Sequence, residues 1–359
     1  MNRELAEKIR KVTPYTPGEQ PKKKGIIKLN TNENPYPPSE KIREAIQEIN
    51  DDTSRLRLYP DPDSSILKEA LARHFGNGLS KKNFFTGVGS DDVLGMAFLA
   101  FFNGNEPVLF PDITYSFYEV WAELFNVKTK ISNLDENMRL VKEDFLKNEK
   151  LGGIVIANPN APTGLCEPVA FIKEVALAHP ECLLIVDEAY VDFGGESAVS
   201  LVNELPNLLV AQTFSKSRSL AGLRIGYAVG NEELVAALEA VRYSYNSYTM
   251  NMPVQLMGSA ILADEEYFNL TVKKIVNERE RTKKRLKDLG FSFPDSKTNF
   301  IFVKHEKLSG EYIFNELKKR KIYVRHFKAD KIKEYNRITI GTPEQMDKLI
   351  DALVEIVAV

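Results

Sequence analysis

The stretch TFSKSRSLAGLRIGY, residues 213–227, follows the apolar run LLVAQ and leads into another, RIGYAVG. Lys216 sits in it, flanked by the small hydroxyl residues Thr213, Ser215 and Ser217. Arg224 lies eight residues on, bracketed by Gly222 and Gly226. Upstream, CLLIVDEAY (182–190) is a second apolar run, and it delivers a carboxylate, Asp187, 29 residues before Lys216. Short continuous apolar runs of this kind read as strands buried on both faces.

The same pattern recurs in NFFTGV, EPVLF and GGIVIAN, with helical spacing around 91–103, 115–125, 168–178 and 231–243. Alternating strands and helices predict an α/β fold with a mostly parallel sheet covered on both faces. Ligand sites in such sheets form at the carboxyl ends of strands. GVGSDD, NPNAPTG, DEAY and TFSK each follow such a run. Beyond them, residues 253–290 read as long helices. The strands TNFIFVKH, IYVRHF and RITIG and a last helix, PEQMDKLIDALVEIV, then form a smaller α+β unit. The expected division is an N-terminal arm over 1–40 that packs with the small unit, a large domain over 41–255 and a small C-terminal domain over 256–359. Within the arm, residues 1–12 read as a short amphipathic helix, TPYTPGEQPKKKG as irregular and IIKLN as a strand.

The chain has 359 residues, 43% of them hydrophobic, which is ample for two cores. A net charge of −2 gives no electrostatic case for nucleic acid or an anionic membrane. Two cysteines, Cys166 and Cys182, make no disulfide framework. The charged start MNRELAEKIRKV has no apolar signal core, and the longest apolar stretch, VLGMAFLAFF, is short for a bilayer span of about 20 residues. A cytoplasmic enzyme is expected. The four histidines lack metal-ligand spacing, so no metal is expected.

An amine, a carboxylate and a guanidinium in this order match the needs of pyridoxal phosphate. Lys216 can form a Schiff base with the aldehyde, Asp187 can keep the ring nitrogen protonated, and Arg224 can pair with the phosphate. Once freed by a substrate amine, Lys216 is a base placed to move the α-proton. GVGSDD, with Gly89, Ser90 and Asp91, opens a helix and offers backbone N–H groups to that phosphate. A dinucleotide fingerprint with Asp112 as the ribose acid is the rival reading. It puts Asp92 where a third glycine belongs, and leaves Asp187 and Lys216 unused. Tyr115 reads either as a core residue or as a ring stacked on the cofactor. Tyr190, three residues after Asp187, is one helical turn away from it. Arg325 and Arg337 read either as exposed strand residues or as clamps for a substrate with two anionic groups.

With these residues in place, the chain resembles the fold-type I aminotransferases, and within them the histidinol-phosphate aminotransferase family. The resemblance runs nearly end to end, through VTPY, LNTNENPYPPS, RLYPDPDS, GVGSDDVL, PDITYSFY, NPNAPTG, DEAYVDF, the 213–227 block, IYVRHF and RITIGT. It implies a fold-type I architecture with a seven-stranded sheet. It implies that Lys216 carries the cofactor, that Asp187 pairs with the ring nitrogen, that Tyr190 and Asn160 reach the ring oxygen and that Tyr115 stacks on the ring. Gly89, Ser90, Asp91, Thr213, Ser215 and Arg224 would surround the phosphate, and Tyr59 would reach it from the other subunit of a homodimer. Tyr15, Asn32, Arg325 and Arg337 would face the substrate. The implied reaction is transamination of L-histidinol phosphate with 2-oxoglutarate, giving imidazole-acetol phosphate and glutamate. An aromatic or broad-range aminotransferase and a phosphothreonine decarboxylase are the alternatives on the same scaffold. A non-catalytic cofactor-binding module would need a DNA-binding extension that the chain does not show. One departure stands out. The family usually has asparagine immediately before PTG, and here that position is Ala161, so the ring-oxygen contact falls to Asn160, Asn158 or Tyr190 alone.

Overall fold

A computed structural model describes residues 7, 9–22 and 24–358. Most of the helix expected over 1–12 lies outside the described residues, and residues 9–12 are not helical. Strand β1 (Ile27–Lys28) ends the arm. Seven strands then build one sheet: β2 (Phe84–Val88), β3 (Val108–Pro111), β4 (Thr129–Ser132), β5 (Gly153–Ala157), β6 (Leu183–Asp187), β7 (Leu208–Thr213) and β8 (Ile225–Gly230). Their spatial order is β2-β8-β7-β6-β5-β3-β4. Only β8 runs against its neighbours.

Period-two alternation sorts the apolar side chains of these strands onto two faces. Ile154, Ile156, Leu184, Val186, Leu208 and Val210 face one core, which includes Leu67, Phe171 and Val254 from the helices Ser65–Phe75, Val169–Ala178 and Met252–Ile261. Val155, Ile185, Leu209 and Ala228 face the other, against Leu94, Trp121 and Leu238 from the helices Ser90–Phe101, Phe117–Phe125 and Glu232–Tyr245. The mostly parallel sheet with helices on both faces is therefore the architecture read from the sequence. The seventh strand, β4, was not among the six runs read from the residues. Its sequence TKIS is mostly polar because it is the sheet edge.

The second layer is an antiparallel sheet, β12-β13-β10-β9, made of β9 (Phe291–Ser292), β10 (Phe300–His305), β12 (Arg325–His326) and β13 (Asn336–Thr339). The helices Glu265–Asp288, Gly310–Lys319 and Pro343–Val357 pack with it. The run IYVRHF is not one strand. β11 (Ile322–Tyr323) pairs with β1, whereas β12 pairs with β13 across the buried pivot Val324. Through that pairing the arm joins the small layer: Leu29 N donates to Tyr323 O at 2.7 Å, and Thr339 N donates to Leu29 O at 2.9 Å. Residue 255, the expected domain boundary, lies inside the helix Met252–Ile261, whose Val254 and Ile261 belong to the core of the large sheet.

One glycine carries the junction of sheet and site. Gly226 in β8 pairs with Gly87 in β2, and a Cβ on it would lie 2.3 Å from both Gly89 C and Ser90 N. Gly226→Ala is expected to push the 89–90 turn outward and destabilise the fold by about 1–3 kcal/mol, the usual cost of overpacking. A lowered melting temperature in a thermal scan checks this, and an unchanged one contradicts the close approach.

Candidate active site

Strands β5, β6 and β7 end beside one cavity of about 280 Å³, lined by Ser90, Asp91, Tyr115, Asp187, Tyr190, Ser215, Lys216 and Arg224. Parallel neighbours bring their carboxyl ends together, so residues 29 apart in the chain converge. A second cavity of about 250 Å³ shares Asp91, Tyr115, Ala161, Tyr190 and Lys216 with the first and adds Tyr15, Asn32, Arg325 and Arg337.

Asp187 is the last residue of β6 and is 5% exposed. Its Oδ2 accepts from the Tyr118 hydroxyl at 2.7 Å and its Oδ1 from Ala189 N at 3.2 Å. Burial pushes its carboxyl up to about 6, and these two bonds together with Lys216 pull back against that rise. Tyr118 was not singled out from the sequence, although PDITYSFY places it three residues after Tyr115. Lys216 follows β7 in a turn whose backbone is tied by Phe214 N to Ile225 O and Leu220 N to Phe214 O. Its Nζ lies 5.7 Å from the centroid of the Tyr190 ring. Asn34 Nδ2 clamps the turn by donating to the carbonyls of Lys216 and Ser217 at 3.1 and 3.0 Å. Thr213 does not line the cavity. Its hydroxyl donates toward Ile225 O and Ser215 Oγ and braces the turn from behind.

The anion seat is the start of the helix Ser90–Phe101. Gly89 is its N-cap with φ 86°, and no side chain caps it, so its first N–H groups remain available to an anion. Arg224, itself at φ 55°, sends Nη1 to Ser215 Oγ at 3.4 Å and Nη2 to Asp91 Oδ2 at 3.2 Å. A Cβ on Gly89 would lie 2.4 Å from Arg224 Nη2, so glycine is what lets the guanidinium cover this helix end. Asp91 also accepts from the Tyr115 hydroxyl at 2.7 Å. That bond holds the Tyr115 ring as a wall of both cavities.

Tyr190 lies in a turn, not a helix, yet its hydroxyl stays at the site, where it accepts from Asn32 Nδ2 at 2.8 Å. Asn160 is not at the cavity. Its Nδ2 donates to Ile113 O and Thr163 Oγ1, and its Oδ1 accepts from Thr114. Asn158 is likewise committed, exchanging hydrogen bonds with the backbone of Glu167. Ala161 lines both cavities with a methyl group. The structure thus leaves Tyr190 as the hydroxyl that shares both cavities with Ala161, and it brings Asn160 into neither of them.

Arg325 and Arg337 are direct cross-strand partners on β12 and β13. Like charges in that position destabilise a sheet unless an anion lies between them. Arg337 is half-buried, its enclosed Nε has no hydrogen-bond partner, and desolvation lowers its pKa. It is not an exposed strand residue. Tyr15 stacks on Phe117 at 4.3 Å beside the same cavity. Tyr59 is elsewhere: it is 81% exposed and stacked on Tyr248. Among the described residues no cluster of His, Cys, Asp or Glu could hold a metal ion, and no helix is long and apolar enough to cross a membrane.

Comparison with known proteins agrees with this geometry. Residues 24–353 match the family model for aminotransferase class I and II. A histidinol-phosphate aminotransferase of Brachyspira hyodysenteriae is 46% identical over 97% of this chain and 97% of its own. One from Chromohalobacter salexigens is 48% identical over 96% of each. The solved histidinol-phosphate aminotransferase of Sinorhizobium meliloti, in complex with pyridoxal 5'-phosphate, is 27% identical with a TM-score of 0.83, covering 93% of this chain and 91% of that one.

The raised Asp187 carboxyl sets the pH response of the cofactor-free protein. The folded state holds this proton more tightly than the unfolded chain, so folding is favoured while Asp187 is protonated. Its contribution is therefore most favourable below about pH 4 and is lost as pH rises through about 6. Asp187→Asn removes this dependence. The stability difference between wild type and variant, measured by urea unfolding, is expected to shift by roughly 2 kcal/mol in the variant's favour between pH 4 and pH 7. A difference that stays flat across that range contradicts the buried, unrelieved carboxylate.

Proposed function

The chain belongs to the class I and II aminotransferases, and we propose that within that family it transfers the amino group of L-histidinol phosphate to 2-oxoglutarate, giving imidazole-acetol phosphate and glutamate. The residues present fit pyridoxal phosphate: an uncapped helix end under Arg224 suits its phosphate, and a buried carboxylate lacking a close cation suits its ring nitrogen. When bound, this cofactor supplies an aldehyde that takes up amines and a ring that accepts the electron pair left at the α-carbon. Asp187 holds the proton of the ring nitrogen, and Tyr118 keeps that carboxylate aimed. Ser90 and Asp91 N–H, Ser215 and Arg224 anchor the phosphate. Tyr115 confines the ring from one side. Lys216 Nζ would be the amine that takes up the aldehyde and, when freed, the base that carries the substrate α-proton.

The observation that carries the substrate reading is the facing pair Arg325 and Arg337 at the far end of the joined cavities. A phosphate ester and the carboxylates of glutamate, taken in turn, supply the anion that this pair requires. Arg325 and Tyr15 face the substrate phosphate, and Arg337 lies toward the reacting carbon. The relatives near half identity favour this over an aromatic aminotransferase or a phosphothreonine decarboxylase.

We also propose a cytoplasmic homodimer. Leu56, Leu58, Tyr59 and Tyr245 are each more than half exposed, and a second copy would cover them and receive Tyr59 at its phosphate seat. Sedimentation equilibrium is expected to give a dimer, and a monomer that still binds cofactor contradicts it.

The substrate test is a panel of histidinol phosphate, phenylalanine and tyrosine with 2-oxoglutarate, read as glutamate formed. Histidinol phosphate is expected to lead in kcat/KM by at least about tenfold, the worth of one extra charge-assisted contact. Arg325→Gln should erase that lead. Equal rates on all three amines, or carbon dioxide release without a keto product, would replace this reading.

A further inference from the structure

Asn32 is buried in a left-handed backbone conformation, with φ 57° and 1% exposure. A non-glycine residue in that region costs of order 1 kcal/mol or more and persists only where its surroundings fix it. Three of its four polar groups are fixed by the small layer. Its N–H donates to Thr339 Oγ1 at 3.0 Å, its side-chain Oδ1 accepts from the Thr339 hydroxyl at 3.0 Å, and its carbonyl accepts from Asn299 Nδ2 at 3.0 Å. Thr339 accepts with one lone pair and donates its only proton to Oδ1, which sets the orientation of the amide. The fourth group, Nδ2, is thereby turned to the Tyr190 hydroxyl at 2.8 Å.

This bond has a directional consequence. The Tyr190 oxygen accepts from Asn32, so its own proton is free to point into the cavity that Tyr190 shares with Lys216. The donor on the other side is missing, because Ala161 lines the same wall with a methyl. We propose that Asn32 is a positioning residue that acts through Tyr190, holding its hydroxyl as the donor to the cofactor's ring oxygen and strengthening it in that role. The proposal rests on the pyridoxal phosphate reading given above. A hydroxyl that accepts a hydrogen bond becomes a better donor, by about 10–30% per bond. Donation to the ring oxygen stabilises its negative charge most when the neighbouring nitrogen carries no proton, so it lowers the pH at which that nitrogen loses its proton. The charged and titratable groups around Tyr190 and the cavities it lines are Lys216, Asp187, Tyr118, Arg337, Asp91, Glu33, Tyr115, Arg224, Tyr15 and Arg325. All of them are retained in the variants below, so Asn32→Gly reports the Asn32 to Tyr190 bond, while Asn32→Asp reports that bond together with the charge it adds.

The test titrates the visible absorbance of the purified, cofactor-loaded protein against pH, with no substrate present. Tyr190→Phe is expected to raise the midpoint by about one pH unit, the size of one hydrogen bond to a charged group. Asn32→Gly suits the left-handed backbone and should raise it by about a third of a unit. Asn32→Asp keeps the Thr339 contact but turns an acceptor on Tyr190, so it should shift the midpoint at least as far as Tyr190→Phe. If the glycine variant does not fold, the aspartate variant carries the test against its own shift in the Tyr190→Phe background, which reports the added charge alone and should be smaller than its shift in wild type. In a Tyr190→Phe background, Asn32→Gly should add no further shift. Midpoints equal to wild type in both Asn32 variants overturn the proposal, as does an undiminished shift in the phenylalanine background. A wild-type protein with no pH-dependent visible band overturns instead the cofactor reading beneath it.

Discussion

Burial of the Asp187 carboxylate is the constraint from which the site follows. A charged group moved out of water is expensive unless paired. Here β6 ends inside the sheet, and the available compensation is a tyrosine hydroxyl, one backbone N–H and the more distant Lys216. That is enough to hold the group in place but not to bring its pKa back to that of an exposed acid. The remaining electrostatic stress is relieved by a cation arriving at the carboxylate, which a protonated heterocycle provides. A pocket stressed in this sense when empty binds its ligand more tightly than one already satisfied.

The second charged feature works by the same logic with the sign reversed. Arg325 and Arg337 face one another across two short strands, and the enclosed Nε of half-buried Arg337 has no partner. Its guanidinium lies near the rings of Phe300 and Phe327, at 5.2 and 5.9 Å from their centroids, which compensates in part. A buried carboxylate thus lies in one cavity and a facing pair of arginines in the cavity beside it. Lys216 lines both cavities.

Much of this was legible in the chain. Continuous apolar strands ending in Asp187 and Lys216 announce themselves because both faces of the sheet are covered, so every position in the strand is apolar. The edge strand β4 was not legible from its residues, since an edge has no such requirement. Nor was the split of IYVRHF between β11 and β12, because apolar alternation runs straight through Val324 and the two halves differ only in their partners. Asn160 was placed at the ring oxygen by adjacency to PTG. The loop instead turns its amide away to Ile113 and Thr163, since a one-residue offset re-aims a side chain. Tyr118 escaped, and Asn32 was assigned to the substrate and not to Tyr190, for a common reason. Their partners, Asp187 and Tyr190, are 69 and 158 residues away, and no local spacing encodes a contact of that range.

The arm explains why such distant residues must meet. Its strand β1 adds to β11, and Leu29 is locked to β13 by Thr339 N. The next residues, Asn30 to Asn34, then cross to the large sheet, where Asn34 grips the Lys216 turn and Asn32 grips Tyr190. Asn30 accepts weakly from Arg337 through its carbonyl at 3.4 Å. One short segment thus touches Arg337, Tyr190 and the lysine turn. A displacement of the small layer relative to the sheet is transmitted through it to all three. Proline and asparagine suit this segment because it forms neither helix nor strand and is held by side-chain bonds in place of a ladder. Its left-handed Asn32 therefore reflects geometry imposed from both sides, and a regular strand there would reach only one of them.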